Sequence, residues 1–216
     1  MRSLSIVTAL ATGAGALSLS ALQAQDAAPS LPGQPDVSRV ESGTYITDPD
    51  HSLIGWRANH FGFNDYFGIF GDVTGTLVLD TETIENSTVA VTIPIASVIT
   101  ASAGLTGHLL SPGKDGAEPD FFGPEPEPAT FTSTSIVSTG ETTAIITGDL
   151  TMNGQTHPVT VAAQFTGVGA NPMSQVTTVG FEGRALVDRT DFGISAFAPL
   201  VSREIELDIS VAFEKQ

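Results

Sequence analysis

Cysteine is absent, so no disulfide, thiolate metal ligand, cysteine nucleophile or lipid-modified cysteine can operate in this chain, whatever its redox compartment. Cations are scarce. Eight Lys and Arg stand against 24 Asp and Glu, which gives the 216 residues a formal charge of −16. Such a surface repels phosphate backbones, and nucleic acid is excluded as a partner. Charged residues make up only 15% of the chain, below the roughly 25% usual for globular proteins. Beyond the N-terminal segment every apolar run is too short to cross a bilayer as a helix. What is present in quantity is Gly (22), Pro (13), Thr and Val, the composition of many short strands joined by turns. The expected class is all-β, in a single domain.

Residues 1–24 read as a secretory signal peptide. Arg2 is the only charge, an apolar run extends to about Leu22, and small residues precede a cut after Ala24. Residues 25–42 carry Pro29, Pro32 and Pro35 and no apolar period, which predicts a flexible Pro-rich leader. The folded domain is expected over 43–216, and the mature product is expected to be soluble and periplasmic or secreted.

Within the domain, Ile205, Leu207, Ile209, Val211 and Phe213 alternate with polar or small residues, a period of two that predicts a strand with one apolar face. The same parity groups Ile54, Trp56, Ala58 and His60; Val73, Gly75, Leu77 and Leu79; Val89, Val91, Ile93 and Ile95; and Val159, Val161, Ala163 and Phe165. Further strands are predicted near 130–137, 143–150 and 177–187. Pro94 marks a strand end or edge. Asn153-Gly154 is the strongest hairpin signal, since both residues tolerate positive φ. Gly167–Pro172 reads as another turn. A helix has room only within 97–111, where Gly104 and Gly107 limit it to a few turns. Seven to nine strands of this kind form a barrel or a sandwich, and periodicity alone does not choose.

The search for chemistry yields little. His51, His60, His108 and His157 show no helical i, i+4 metal spacing, and no metal site or cofactor is predicted. Gly193-Ile194-Ser195-Ala196 lacks the second glycine of a nucleophile elbow. In Asp188-Arg189-Thr190-Asp191, Arg189 offers both carboxylates an ion-pair partner, so the segment reads as a charged corner with an Asx turn. Asp48-Pro49-Asp50-His51-Ser52 reads as a capped lead into a strand. Aromatics are more informative: Trp56, Phe61, Phe63, Tyr66, Phe67 and Phe70 fall within fifteen residues, and they either fill a core or line an apolar tube.

Several segments, in order, resemble the YceI-like family. These are Tyr45-Ile46-Thr47-Asp48-Pro49-Asp50-His51-Ser52, Ala58-Asn59-His60-Phe61-Gly62-Phe63, His108-Leu109-Leu110-Ser111, Asp120-Phe121-Phe122, Pro128-Ala129-Thr130-Phe131, Gly148 to Gly154, and Arg189-Thr190-Asp191-Phe192-Gly193. About eight residues, 112–119, are inserted relative to the family pattern, and 123–128 also depart from it, which would reshape a pocket mouth. The resemblance implies an extended, lipocalin-like antiparallel β-barrel of about eight strands with a short helix. It also implies a periplasmic carrier for a polyisoprenoid, isoprenoid quinone, fatty acid or similar amphiphile, acting without catalysis or cofactor, to which transient contact with a membrane or membrane protein would be natural. The expected ligand-facing residues are Trp56, Ala58, Phe121, Phe131, Phe165, Phe181 and Phe192, with His60, His108 or Arg189 beside a polar head group. Two other readings remain: a ligand-free structural or stress-related interaction domain, and an enzyme on such a lipid using His60 or the Asp188/Asp191 pair.

Overall fold

The computed structural model describes residues 30–216, so the expected signal peptide and the start of the leader lie outside the described residues. The alternating C-terminal segment forms β11 (Glu204–Lys215), on which the architecture turns. One edge of β11 pairs with β10 (Thr177–Asp188), from Thr178↔Glu214 to Asp188↔Glu204. Its other edge is shared by two strands. β1 (Gly43–Thr47) covers the C-terminal end, from Thr47↔Phe213 to Tyr45↔Lys215. β2 (Leu53–His60) covers the N-terminal end, from Ser210↔Leu53 to Glu206↔Arg57.

β1 and β2 are thus one ribbon broken by the corner at Asp48–Ser52. The corner holds because its side chains replace the missing ladder bonds. Asp48 N and Ser52 Oγ donate to Ala212 O, and Ser52 Oγ accepts from Ala212 N at 3.1 Å. Asp48 also caps Asp50 N and holds His51 Nδ1 at 2.7 Å. The expected capped lead into a strand is what is observed.

From this branch the sheet closes. β1 pairs with β4 (Thr74–Leu79), and β5 (Thr88–Ile93), β7 (Ala129–Ser138), β8 (Thr143–Met152), β9 (Gln155–Ala170) and β10 follow, each antiparallel to its neighbour. The eight strands form a closed barrel, which leaves those strands no free edge over their paired lengths. β3 (Asn64–Phe70) and the short β6 (Ile99–Thr100) extend β2 as a flap beyond the closure. β6 leads into α1 (Ala103–Leu109), whose N-terminus is capped by Ser102 Oγ accepting from Leu105 N. The expected fold class holds, with the flap added. Pro94 ends β5, and Asn153 and Gly154, both at positive φ, join β8 to β9.

Two expectations are corrected. Gly167 and Gly169 lie inside β9, and the turn falls at Asn171–Val176. The glycines serve close approach: Gln34 exchanges hydrogen bonds with Val168 at 3.0 and 2.9 Å, and a Cβ on Gly169 would collide with the Pro32 carbonyl. The same contacts tie down part of the leader, and Val37–Arg39 forms a 3-10 turn capped by Asp36.

Packing inside the barrel is uneven. Tyr45, Val168, Val179 and Phe213 are all buried to 3% exposure or less and form a solid floor. Above it, Ile205, Leu207, Ile209 and Val211 point inward on β11 yet remain only half-buried. Inward apolar groups that keep accessible surface signify a hollow.

Candidate functional site: an apolar cavity

The hollow consists of a larger cavity of about 650 Å³ and a smaller one of about 150 Å³. Ile54, Ile93, Leu150 and Leu207 line both. Along β11 the lining runs from Ile205 to Phe213; at about 3.3 Å per residue and a strand tilt near 40°, this is roughly 20 Å of depth.

Trp56, Ala58, His60, His108, Phe121 and Arg189 line the larger cavity, and Phe131 and Phe181 line the smaller. Phe165 and Phe192 line neither, and their expected ligand contact is corrected. Phe165 packs edge-on to Phe181 at 5.8 Å in the floor cluster. Phe192, 1% exposed, ends the 3-10 corner Arg189–Phe192 and packs against His157 at 5.2 Å, where Asn153 Nδ2 donates to its carbonyl. Strand parity could not place Phe192 because it is not on a strand.

Rings that line the walls lie against glycine. Trp56 faces Gly68 across β2 and β3, and a Cβ there would strike the indole; a Cβ on Gly148, which pairs with Ser133 across β7 and β8, would strike the Phe131 ring diagonally. The missing side chains let the rings lie along the wall instead of filling the lumen.

Arg189 also differs from expectation. It pairs with neither Asp188 nor Asp191. Its Nε, Nη1 and Nη2 donate to the carbonyls of Ser202, Ile194 and Val201 at 2.9, 2.7 and 3.0 Å, and it is 5% exposed. Burial lowers its pKa from the ordinary arginine value. Asp188 instead accepts from Thr190 and pairs with Arg203 at 2.7 Å; these hydrogen bonds, the Thr190 hydroxyl first, hold its carboxyl below the usual range. The expected Asx turn is present. Neither Asp188 nor Asp191 lines the cavity.

The mouth is built from the β2–β3 hairpin and the loop before β11. Phe61 N donates to Leu200 O at 2.7 Å and Ser202 N to Asn59 O at 2.9 Å, with a bridge between His60 and Val201. Packed against this loop, Phe121 stacks on Phe197 at 6.2 Å, and beside them His108 Nε2 lies 3.0 Å from Asp120 Oδ2. Residues 112–119, expected to be inserted, lead directly into Asp120. Sequence reasoning did not single out Tyr66, Phe122, Ile194 or Phe197 as lining. Tyr66 was accessible through the parity of Asn64, Tyr66 and Phe70, but Phe197 sits in an irregular loop at φ 59°. Among the described residues no group of three His, Asp or Glu side chains could hold a metal ion.

A closed antiparallel barrel around an apolar cavity defines the structural class. The family model of the YceI-like domain matches residues 45–213. A UPF0312 protein of Pseudomonas fluorescens is 37% identical over 180 residues, spanning 82% of this chain and 90% of that protein. The Campylobacter jejuni YCEI protein superposes with a TM-score of 0.61 at 26% identity, covering 73% of this chain and 90% of its own. A polyisoprenoid binding domain from Saccharophagus degradans shares the fold with a TM-score of 0.55 at 13% identity, covering 82% and 100%. The chain belongs to the YceI-like family.

Proposed function

We propose that this protein is a periplasmic carrier that holds one long-chain amphiphile in its barrel without catalysis. The half-buried inward face of β11 around the two cavities is the observation that carries the reading. A saturated chain advances about 1.3 Å per carbon, so roughly 20 Å of depth suits a tail of about 15 carbons in extended length. At about 0.8 kcal/mol per buried methylene, such a tail supplies on the order of 10 kcal/mol before association costs. A head-group hydrogen bond supplies roughly 1 kcal/mol. Affinity therefore resides in the tail and selectivity in the mouth. The name of the Saccharophagus domain makes a polyisoprenoid the first ligand class to try. Phe61, Phe63, Phe197 and Leu200, all exposed beside the mouth, would let the carrier exchange its guest at a lipid surface.

Trp56 is the only tryptophan and lines the cavity, so its fluorescence reports occupancy. Native mass spectrometry of protein taken from its host is expected to show one bound lipid. Recovery of lipid-free protein whose Trp56 emission ignores added farnesol and hexadecanamide would overturn the proposal.

A further inference from the structure

On the carrier reading, on which this inference rests, the tail of the guest meets a wide cavity first and a narrow one after it. The larger cavity, of about 650 Å³, lets a tail lie in many ways. The smaller holds about 150 Å³, space for roughly five methylenes if each needs about the 30 Å³ of a water molecule. It follows β11 from Leu207 to Phe213, roughly 15 Å at the usual rise and tilt. So small a volume over that length is a bore one chain wide.

Two small residues make the bore. Gly183 on β10 pairs with Ala163 on β9 and with Ile209 on β11, so the three stand side by side at one level of the wall. All three line the smaller cavity, and none lines the larger. Gly183 has no slack, since a Cβ there would lie 3.0 Å from Val161 and 3.4 Å from Ile209. Deeper still, Phe181 pairs with Val211 and sits edge-on to Phe165 and Phe213 at 5.8 and 6.2 Å. Its ring ends the bore on the solid floor.

We infer that the bore is a socket for the far end of the tail, which Ala163 and Gly183 admit and Phe181 stops. Distances decide which tails arrive. His60 at the rim lies four residues from Trp56, which pairs with Leu207, and Ile209 and Val211 follow two and four residues further down β11. By rise and tilt this is roughly 15 Å from His60 to the level of Ala163 and roughly 20 Å to that of Phe181. At about 1.3 Å per carbon, a tail of about 10 carbons ends above the bore and one of about 16 reaches the stop. The wide cavity touches a chain on some sides only, whereas the bore surrounds it and gains dispersion contact on every side. The last carbons therefore strengthen binding by about fourfold each, close to the full value of a buried methylene.

In the test, delipidated full-length protein is equilibrated with detergent micelles that contain equal amounts of 1-decanol, 1-hexadecanol and 1-eicosanol. Bound alcohols are then extracted and quantified by gas chromatography. Each variant is compared with the parent protein on the same mixture, so the preference of the micelles cancels. Ala163→Leu is expected to lower the ratio of bound hexadecanol to decanol at least about tenfold while decanol uptake is retained. Ala163→Val, a smaller step, should shift the ratio in the same direction by less. Phe181→Ala opens room below the stop and is expected to raise the ratio of eicosanol to hexadecanol several-fold. Ala163 variants that keep the parent's ratio of hexadecanol to decanol overturn the inference, because the tail then coils in the larger cavity. An eicosanol ratio that Phe181→Ala leaves unchanged overturns the role of that ring as the stop. Uptake of none of the three alcohols by the parent protein is a different failure, which sinks the carrier reading and this inference with it.

Discussion

Arg189 shows how far one residue's neighbours in sequence can mislead. Flanked by Asp188 and two positions from Asp191, it reads as an ion-pair partner or a head-group contact. Its role is to cross-brace the loop that forms one side of the mouth, through carbonyls contributed by Ile194, Val201 and Ser202. Backbone carbonyls have no signature in sequence, so nothing local disclosed them. Arg189→Leu leaves three acceptors without their donor and is expected to cost on the order of 3 kcal/mol in urea denaturation. A loss under about 1 kcal/mol would show that the brace is dispensable. Asp188 is a separate case. Its folded-state pKa lies below the unfolded value, so its contribution to stability is present above the ordinary carboxylate range and disappears as pH falls through it. Asp188→Asn should therefore be less stable than the parent protein at pH 7, with the gap closing as the pH drops below about 4. Denaturant midpoints that keep a constant gap down to pH 3 would contradict this.

At the scale of elements, alternation told which residues share a face, and the faces of β2, β4, β5, β9 and β11 follow it. It did not tell what lies opposite each ring. The pairing of Trp56 with Gly68 depends on the register Trp56↔Gly68, set by the hairpin at 61–63. A glycine inside a strand reads equally well as a turn, which is why the pattern at Gly167 and Gly169 suggests a turn where β9 continues. In both places the absent side chain makes room, for an indole in one and for the leader's backbone in the other. Gly68→Ala is expected to push the indole toward the lumen, with a cost of about 1–3 kcal/mol typical of overpacking and weaker binding of any long-chain probe. Normal stability together with normal farnesol binding would show that the indole has another place to go.

For the molecule as a whole, closure was the feature least written in local pattern. It rests on Tyr45 pairing with Lys215, residues from opposite ends of the domain, and a barrel could be told from a sandwich only through family resemblance. The rim has a comparable consequence. Phe61, Phe63, Phe197 and Leu200 are 44%, 86%, 49% and 64% exposed and belong to two hydrogen-bonded segments without charged residues. Insertion of such rings into a lipid headgroup layer is favourable by about 1.5–3 kcal/mol for each fully buried side chain. The formal charge of −16 opposes approach to anionic lipid. The protein is therefore expected to co-sediment with phosphatidylcholine vesicles, and to do so less well when phosphatidylglycerol is added at low salt. High salt should remove that difference, because screening weakens the charge repulsion and leaves apolar contact intact. The double change Phe63→Ser and Leu200→Ser should lower vesicle binding at least about tenfold. Because Phe63 and Leu200 are not among the cavity-lining side chains, farnesol binding in solution should stay intact. Vesicle binding indifferent to this pair, or lost together with binding in solution, would show that the rim does not act as a separate membrane contact.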